Sequence, residues 1–295
     1  ILSVVYSKYR DSDIMYDKII VNGYELDDQQ LATVLENEKY SLIIAGAGSG
    51  KTLTLIGKIK YLIENNLLSP NEICCISFTN EATNNLRESI LKNCGVDVPT
   101  FTFHKLALSI LNETDLEYSI ADSNLLSYII DEFFLSHCFG NVLLQNIVFE
   151  LFHVYFFKTD KKWEKLLNSS GLISLKKTIL TFTNLMKSND YDLSSFSKFF
   201  SNKRFRKILY VIYAIYIIYE VEKKSSGLID FDDMMSYAKD IVVNDGYPVP
   251  FKLFIIDEFQ DTSLIRFNLI RELVKLNNAG LCVVGDDYQS IYHFS

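Results

Sequence analysis

Proline and glycine are scarce in this sequence, with 4 and 12 residues among 295. A chain with so few turn-forming residues, of which 48% are hydrophobic, is predicted to form long regular elements around a substantial core. This composition excludes a disordered or linker-rich protein. The length favours about two domains.

The cysteine pattern gives no support for zinc or for a disulfide framework. The five cysteines are odd in number, and no two of them form a C-x-x-C pair. Structural zinc sites and disulfide scaffolds normally show paired spacing, so reduced thiols in a cytoplasmic protein are the better interpretation.

No hydrophobic run is long enough to cross a bilayer as a helix. The longest one extends from Ile208 to Tyr219 and is flanked by Lys207 and Glu220. A membrane-spanning helix needs about 20 apolar residues, so we expect a core helix here and no membrane partner. The chain opens at Ile1 without Met and stops at Ser295 directly after a motif. Both ends suggest a fragment of a longer protein.

Positive charge is also in short supply, and the net charge is −8. Taken alone, this balance speaks against a nucleic-acid-binding protein, although phosphate contacts depend on local and not on total charge. Basic residues cluster within 161–165, 176–177 and 203–207. A solvated helix face is the favoured interpretation of each cluster.

Strand-like and helix-like segments alternate at both ends of the chain. Compact apolar runs at 40–45, 72–78, 251–256 and 280–285 are typical of buried parallel strands. Helical spacing of apolar residues occurs at 25–36, 52–65, 81–92 and 263–276. This alternation predicts an α/β fold with a parallel sheet and flanking helices.

The middle of the chain has a different character. Between about residues 111 and 226 no strand is predicted, and Leu, Ile, Phe and Tyr recur at spacings of three and four. We therefore predict an all-helical domain at 111–226. It is inserted into an α/β domain that residues 1–110 and 227–295 form together.

A glycine-rich loop joins the first predicted strand to its helix. The loop consists of Ala45, Gly46, Ala47, Gly48, Ser49, Gly50, Lys51 and Thr52, and it departs from the P-loop pattern only in having Ala at its first position. Small residues let backbone N–H groups surround phosphates at a helix N-terminus. We expect Lys51 to contact the β- and γ-phosphates and the Thr52 hydroxyl to ligate Mg²⁺.

Two later strands end in acidic residues. Asp257 and Glu258 follow the run 254–256, and two further acids and then Gln289 follow the run 283–285. Ligands of open α/β sheets bind at this edge. We expect Asp257 to hold Mg²⁺ through water, Glu258 to orient or deprotonate the attacking water, and Gln289 to sense the γ-phosphate.

In this order, the motifs resemble those of the UvrD-like superfamily 1 DNA helicases. The resemblance covers about residues 26–295 and rests on Gln30, Gly46 to Thr52, Phe78-Thr79-Asn80, Thr102-Phe103-His104, Leu228 to Asp233, Asp257-Glu258-Phe259-Gln260-Asp261 and Gly285 to Tyr292. Tyr288 and the ending Phe294-Ser295 look most like the DNA helicase IV branch. Many relatives have a basic residue, Trp and Arg where Glu81, Phe294 and Ser295 stand.

The resemblance implies a RecA-like P-loop fold and an ATP hydrolase with a role in DNA repair. Such an enzyme moves along single-stranded DNA, 3′ to 5′, and unwinds duplexes at junctions, with ATP and Mg²⁺ as cofactors. It further implies that Gln30 hydrogen-bonds the adenine edge, and that Gln260 and Gln289 couple the phosphate site to DNA. The implied DNA contacts are Phe78, Asn80, Phe103, His104, Tyr292 and Phe294, of which the last two stack on bases.

The family's motor has a second α/β domain that supplies arginine fingers, and this sequence contains none of its motifs. Loss of such an arginine costs about 10³–10⁵ in rate, so we expect this chain to bind ATP but to hydrolyse it weakly alone. Two alternatives stay open. One is the helicase subunit of a recombination helicase–nuclease, and the other is a nucleotide-gated DNA-binding module without turnover. The presence of Lys51, Asp257 and Glu258 argues against the second.

Overall fold

The computed structural model describes residues 18–46, 48–114, 116–139, 141–151, 160–192, 194–196 and 201–286. The chain divides into two compact units. The first unit is Ile1–Thr114 with Met234–Ser295, and the second unit is Asp115–Asp233.

The first unit is built on a five-stranded sheet. Its regular elements are the hairpin strands β1 (Ile20–Val21) and β2 (Tyr24–Glu25), then α1 (Asp28–Leu35), β3 (Tyr40–Ile44), α2 (Lys51–Glu64), β4 (Ile73–Ser77), α3 (Asn80–Cys94), β5 (Thr100–Thr102) and α4 (Phe103–Leu111). The elements of the second unit follow in the chain.

After the second unit, the first unit continues with α10 (Phe231–Asn244, whose first three residues belong to the second unit), β8 (Leu253–Ile256), α11 (Leu264–Leu276) and β9 (Gly280–Gly285). The sheet has the order β3-β9-β8-β4-β5, and all its strands are parallel. The predicted α/β fold with a parallel sheet is therefore confirmed. Only β5, which is three residues long, was not predicted.

The core of the first unit lies where α2 and α3 cover the sheet. Strand β4 is buried along its whole length, because helices cover both faces of a parallel sheet. Leu55, Ile56 and Ile59 form the apolar stripe of α2 that packs there. Cys75 and Cys282 lie in the same core as free thiols.

The second unit consists mainly of helices, as predicted for this part of the chain. They are α5 (Leu125–Glu132), which continues into a π-helical turn at Phe133–His137, α6 (Val142–Leu151), α7 (Asp160–Leu167), α8 (Ser170–Ser188) and α9 (Lys203–Ser225). Trp163 is fully buried in the core, and its indole N–H donates to the carbonyl of Phe134 over 3.2 Å. The short parallel ladder of β6 (Ser119–Ile120) and β7 (Leu228–Ile229) was not predicted, because two residues carry no periodicity.

Five charged side chains form a buried ion cluster in the second unit. Lys223 Nζ lies 2.9 Å from Glu220, 2.9 Å from Asp230 and 2.6 Å from Asp233. Lys187 pairs with the same three carboxylates. Although the three carboxylates are close enough together to bind a metal ion, each of them already pairs with both ammonium groups. The cluster is therefore a set of internal ion pairs and not a metal site.

Among the described helices, none combines the length and the apolar character that a bilayer crossing requires.

Candidate functional site

Several of the predicted site residues that the structure describes lie at one edge of the sheet of the first unit. Because the five strands are parallel, the segments that follow them emerge at the same edge. The glycine-rich loop follows β3, Phe78 follows β4, and Phe103 follows β5. Asp257 and Glu258 follow β8, and Asp286 follows β9. The order β3-β9-β8 places both acidic strand ends next to the loop.

The glycine-rich loop leaves open space at the start of α2. Gly48 and Gly50 have φ angles of 74° and 81°, in the left-handed region that favours glycine. A Cβ built on Gly46 or Gly48 would meet no atom of the described residues within 4 Å. Helix α2 begins at Lys51, and Thr52 is exposed in its first turn. This arrangement suits an anion at a helix N-terminus.

Lys51 faces two carboxylates that come from different strands. Its Nζ lies 3.4 Å from Glu258 Oε2 and 3.8 Å from Asp286 Oδ2. The Lys51 side chain is only 9% exposed, whereas that of Glu258 is 39% exposed. Both distances are longer than a charge-assisted hydrogen bond of about 2.7–2.9 Å. The ammonium group is therefore held near the loop without being tightly paired.

Asp257 is a buried carboxylate at the end of β8. It accepts a hydrogen bond from the backbone N–H of Glu258 over 3.0 Å. Burial and then the charge of Glu258 raise the pKa of Asp257 above its ordinary value. A divalent cation would offset both effects, and Mg²⁺ prefers oxygen ligands such as a carboxylate and a hydroxyl. Asp257 and Thr52 therefore fit the expected metal.

Gln260 connects the two acidic strand ends. Its Nε2 donates to Glu258 Oε2 over 2.7 Å, and its Oε1 accepts the backbone N–H of Asp286 over 3.0 Å. Gly285 makes this contact possible, because a Cβ there would lie 3.0 Å from Gln260 Oε1. Glu258 itself has a φ of 52°, which is uncommon for a residue other than glycine and recurs at functional sites. The Glu258 carboxylate is thus held by the Gln260 side chain, in a residue whose backbone conformation is itself unusual.

Gln30 lies beside the loop, at the third position of α1. Its Oε1 accepts the backbone N–H of Asp27 in a capping box, and its Nε2 donates to the carbonyl of Ser49 over 3.1 Å. The structure therefore places Gln30 against the loop that precedes Lys51. A contact between Gln30 and adenine is not tested by these distances.

The aromatic residues after β4 and β5 form a separate group. The rings of Phe78 and Phe103 lie 5.2 Å apart, and Arg266 covers the Phe78 ring at 5.5 Å. Phe103 is only 2% exposed and packs against Phe78, which is partly exposed. A DNA contact by Phe103 stays a prediction.

His104 and Asn80 differ in their access to solvent. Burial, and then the nearby charge of Arg266, lower the pKa of His104 to about 4, so the imidazole is neutral at physiological pH. Asn80 is exposed in the first turn of α3, beside the exposed Glu81. The predicted residues Ala47, Gln289, Tyr292 and Phe294 lie outside the described residues.

Asp286 is a site residue that the sequence analysis did not select. It is 2% exposed and pairs with Lys51. The sequence does show an acid directly after a buried strand, but it does not show that this strand lies next to β3. Only the strand order brings Asp286 to the loop.

Comparisons with known proteins agree with this geometry. A family model described as the UvrD/REP helicase N-terminal domain matches residues 26–295. A probable DNA helicase II homolog of Rickettsia conorii is 28% identical over 284 residues, which is 91% of this chain and 38% of the relative. The ATP-dependent DNA helicase Rep of Buchnera aphidicola is 31% identical over 261 residues, which is 85% of this chain and 34% of the relative. The ATP-dependent DNA helicase PcrA of Staphylococcus aureus is 27% identical over 277 residues, which is 90% of this chain and 34% of the relative. The chain thus spans little more than a third of these curated relatives.

Proposed function

The chain belongs to the UvrD/REP helicase N-terminal domain family, and from this premise we propose that it is the ATP-binding part of a DNA helicase motor. The family match confirms the resemblance that the motifs gave. The activity of the whole protein is part of the proposal, because the relatives are almost three times as long as the segment they share with this chain.

The observation that carries the proposal is the loosely paired Lys51. Its ammonium faces Glu258 and Asp286 beside an open glycine loop, so a triphosphate entering the loop would find an available positive charge. Mg²⁺ bound with ATP would neutralise charge on the phosphates. In this proposal Gly46, Gly48, Ser49, Gly50 and the undescribed Ala47 surround the phosphates.

The other residues at this edge of the sheet bind the metal, act on the attacking water or couple the site to DNA in this proposal. Thr52 and Asp257 hold the metal, and Glu258 orients or deprotonates the attacking water. Gln260 links the Glu258 carboxylate to the segment after β9, which makes it suitable as a coupling residue. Gln289 stays a proposed γ-phosphate sensor.

We propose that Phe78, Asn80 and His104 face single-stranded DNA, with Phe103 behind Phe78. A neutral His104 would donate or accept hydrogen bonds without attracting phosphate electrostatically. Tyr292 and Phe294 stay proposed base-stacking residues. Single-stranded DNA and duplex junctions are the proposed partners.

The domain assignment is part of the same proposal. Residues 1–110 and 227–295 would form the RecA-like domain, and 111–226 the inserted helical domain. The division into Ile1–Thr114 with Met234–Ser295 and Asp115–Asp233 supports this assignment. A second RecA-like domain of the whole protein would supply the arginine finger, and the enzyme would translocate 3′ to 5′ in the cytoplasm.

Binding of a fluorescent ATP analogue with Mg²⁺ tests the proposal directly. We expect the 295-residue chain to bind the analogue, and Lys51→Ala to abolish binding because the phosphates lose their ammonium partner. Lys275→Ala is the matched control, since Lys275 is an exposed lysine of the first unit away from the loop.

Turnover would be followed in the same samples with and without single-stranded DNA. Binding with slow turnover is the expected result for a domain that lacks its arginine finger. Absence of binding by the native chain would refute the proposed site, and fast DNA-stimulated turnover would refute the need for a second domain.

A further inference from the structure

A second lysine of α2, Lys58, lies outside the site and is almost fully buried. It is 5% exposed, and its Nζ donates to the carbonyl of Glu36 over 2.7 Å and approaches that of Thr33 at 3.5 Å. Burial lowers the pKa of Lys58, while the nearby Cys282 and Glu36 act in the opposite direction. Burying an ammonium group costs free energy unless it is hydrogen-bonded, and the two carbonyl acceptors offset that cost for Lys58.

Both acceptors lie at the C-terminal end of α1. The last carbonyls of a helix have no partner within the helix and carry partial negative charge, which a cationic side chain stabilises. Helix α1 has no basic residue in its own last turn. Lys58 therefore supplies from α2 the cationic cap that α1 does not supply itself.

The packing beside Lys58 is also unusually close. A Cβ built on Gly57 would lie 2.7 Å from Leu26 Cδ1 and 3.4 Å from Val34 Cγ2. The segment that carries α1 thus rests directly on the backbone of α2. Helix α1 has only eight residues, and a helix of that length is not stable on its own. Its position depends on these contacts with α2.

The N-terminal end of α1 carries Gln30. The Gln30 side chain donates to the carbonyl of Ser49, and its Nε2 would lie 2.5 Å from a Cβ on Gly50. Helix α1 is therefore attached at one end to the glycine-rich loop and at the other end to Lys58. A shift at the Lys58 end would move Gln30 relative to the loop.

We infer that Lys58 is a positioning residue for the nucleobase: it holds α1 so that Gln30 stays beside the loop, and so it sets the base-dependent part of nucleotide affinity. This inference rests on the proposed function and on the contact between Gln30 and adenine that the family resemblance implies. Lys58 acts through α1 and has no contact with the phosphates in this scheme.

Competition binding separates the base from the phosphates. A ribose-labelled fluorescent ATP would be displaced from the 295-residue chain by Mg-ATP or by inorganic tripolyphosphate, which has no base. We expect Lys58→Met to weaken ATP about tenfold, or about 1.4 kcal/mol, because a charged hydrogen bond to α1 is lost. Tripolyphosphate affinity should change less than about twofold, and Lys58→Arg should restore ATP affinity.

A double-mutant cycle tests whether the effect passes through Gln30. In a Gln30→Ala background, Lys58→Met should weaken ATP less than about twofold, because the residue it positions is gone. If Lys58→Met does not fold, Gly57→Ala replaces it, since the added Cβ displaces Leu26 and α1 without removing a charge. Gly57→Ala should also weaken ATP more than tripolyphosphate.

The outcomes distinguish the two proposals. If the native chain binds neither competitor, the proposed function fails, and the inference falls with it. If the native chain binds both, but the variants lose ATP and tripolyphosphate equally or lose neither, the positioning role of Lys58 is wrong and the phosphate site stands.

Discussion

Lysines and carboxylates meet in both units of this protein, but at different distances. In the first unit Lys51 Nζ lies 3.4 and 3.8 Å from its two acidic partners. In the second unit Lys223 Nζ lies 2.6–2.9 Å from three carboxylates, and Lys187 shares them. The cluster in the second unit is internally satisfied, whereas Lys51 retains capacity to bind another anion.

The surroundings explain this difference. Lys51 begins a helix after a loop in which a Cβ on Gly46 or Gly48 would meet no atom of the described residues within 4 Å, and its two acidic partners lie 3.4 and 3.8 Å away. Lys223 lies in the last turn of α9 with its side chain 2% exposed, and its acidic partners are Glu220 of the same helix and Asp230 and Asp233 of the segment after β7. The ion pairs of Lys223 are therefore short and shared among several partners, whereas those of Lys51 are longer, as the proposed binding of a phosphate requires.

Among the expected effects, the largest is the loss of unfolding free energy that Lys223→Met causes in the second unit. This change removes a buried ammonium group and leaves three partly buried carboxylates with Lys187 as their remaining partner, which costs about 3–5 kcal/mol of unfolding free energy. Urea unfolding followed by fluorescence would measure it, because Trp163 is the sole tryptophan of the sequence and lies in the core of this unit. Lys224→Met, at an exposed neighbour, is the control. A loss of unfolding free energy below about 1 kcal/mol would show that the ion cluster does not stabilise the second unit.

Lys51→Met is expected to weaken Mg-ATP binding strongly and to change the free energy of unfolding little. Mg-ATP affinity should fall at least about 100-fold, or about 2.7 kcal/mol, because the phosphates lose their ammonium partner. The unfolding free energy should change by less than about 1 kcal/mol, since the lost ion pairs are loose. Calorimetric titration and circular dichroism measure the two quantities. Equal losses of stability in Lys51→Met and Lys223→Met would remove the contrast between the units.

Acid should weaken the second unit through Asp230. Burial alone would raise the pKa of Asp230, but the charge of Lys187 and a hydrogen bond from it lower the pKa below the ordinary value. A carboxyl with a depressed folded pKa stabilises the fold above its unfolded pKa of about 3.9, and this contribution is lost as the pH falls further. We expect a loss on the order of 1–3 kcal/mol between pH 5 and pH 2, by Trp163 fluorescence in urea. In Lys187→Met the pH dependence should be shallower; an unchanged slope would contradict this assignment.

The smallest expected difference is in Mg-ATP affinity between two glycine substitutions. Gly50 and Gly95 have φ angles of 81° and 70°, so alanine at either position should cost about 1–2 kcal/mol of stability. Only Gly50→Ala should weaken Mg-ATP binding, because its Cβ would also displace Gln30. Gly95→Ala, at the end of α3, is the matched control for strain alone. Equal ATP affinities in the two variants would argue against a role for the loop geometry.

The sequence predicts most of the sheet because each long strand is a continuous apolar run, and a helix follows β3, β4 and β8. It predicts the Lys51 loop and the acids after β8 for the same reason. Strand β5 and the ladder of β6 and β7 are too short to carry a period. Asp286 required the order β3-β9-β8, which depends on packing between distant segments and not on any local pattern.

Single side chains show the same limit. The spacing of Asp27 and Gln30 is a visible capping-box pattern, and the structure contains that box, but the additional contact of Gln30 with Ser49 was not visible. Phe103 was expected at DNA because of its neighbours in the motif. Its burial against Phe78 follows from the alternation of faces around the start of α4, which the motif does not reveal.

The buried thiols of the sheet allow the opening of the first unit to be timed. Burial raises the pKa values of Cys74, Cys75 and Cys282, and protonated thiols react slowly with alkylating reagents. These three side chains are buried in β4 and β9, so alkylation at any of them requires the elements that cover the sheet to move away from it. The rate of their modification, with and without Mg-ATP, would therefore report how often this covering layer opens and how far a bound nucleotide keeps it closed.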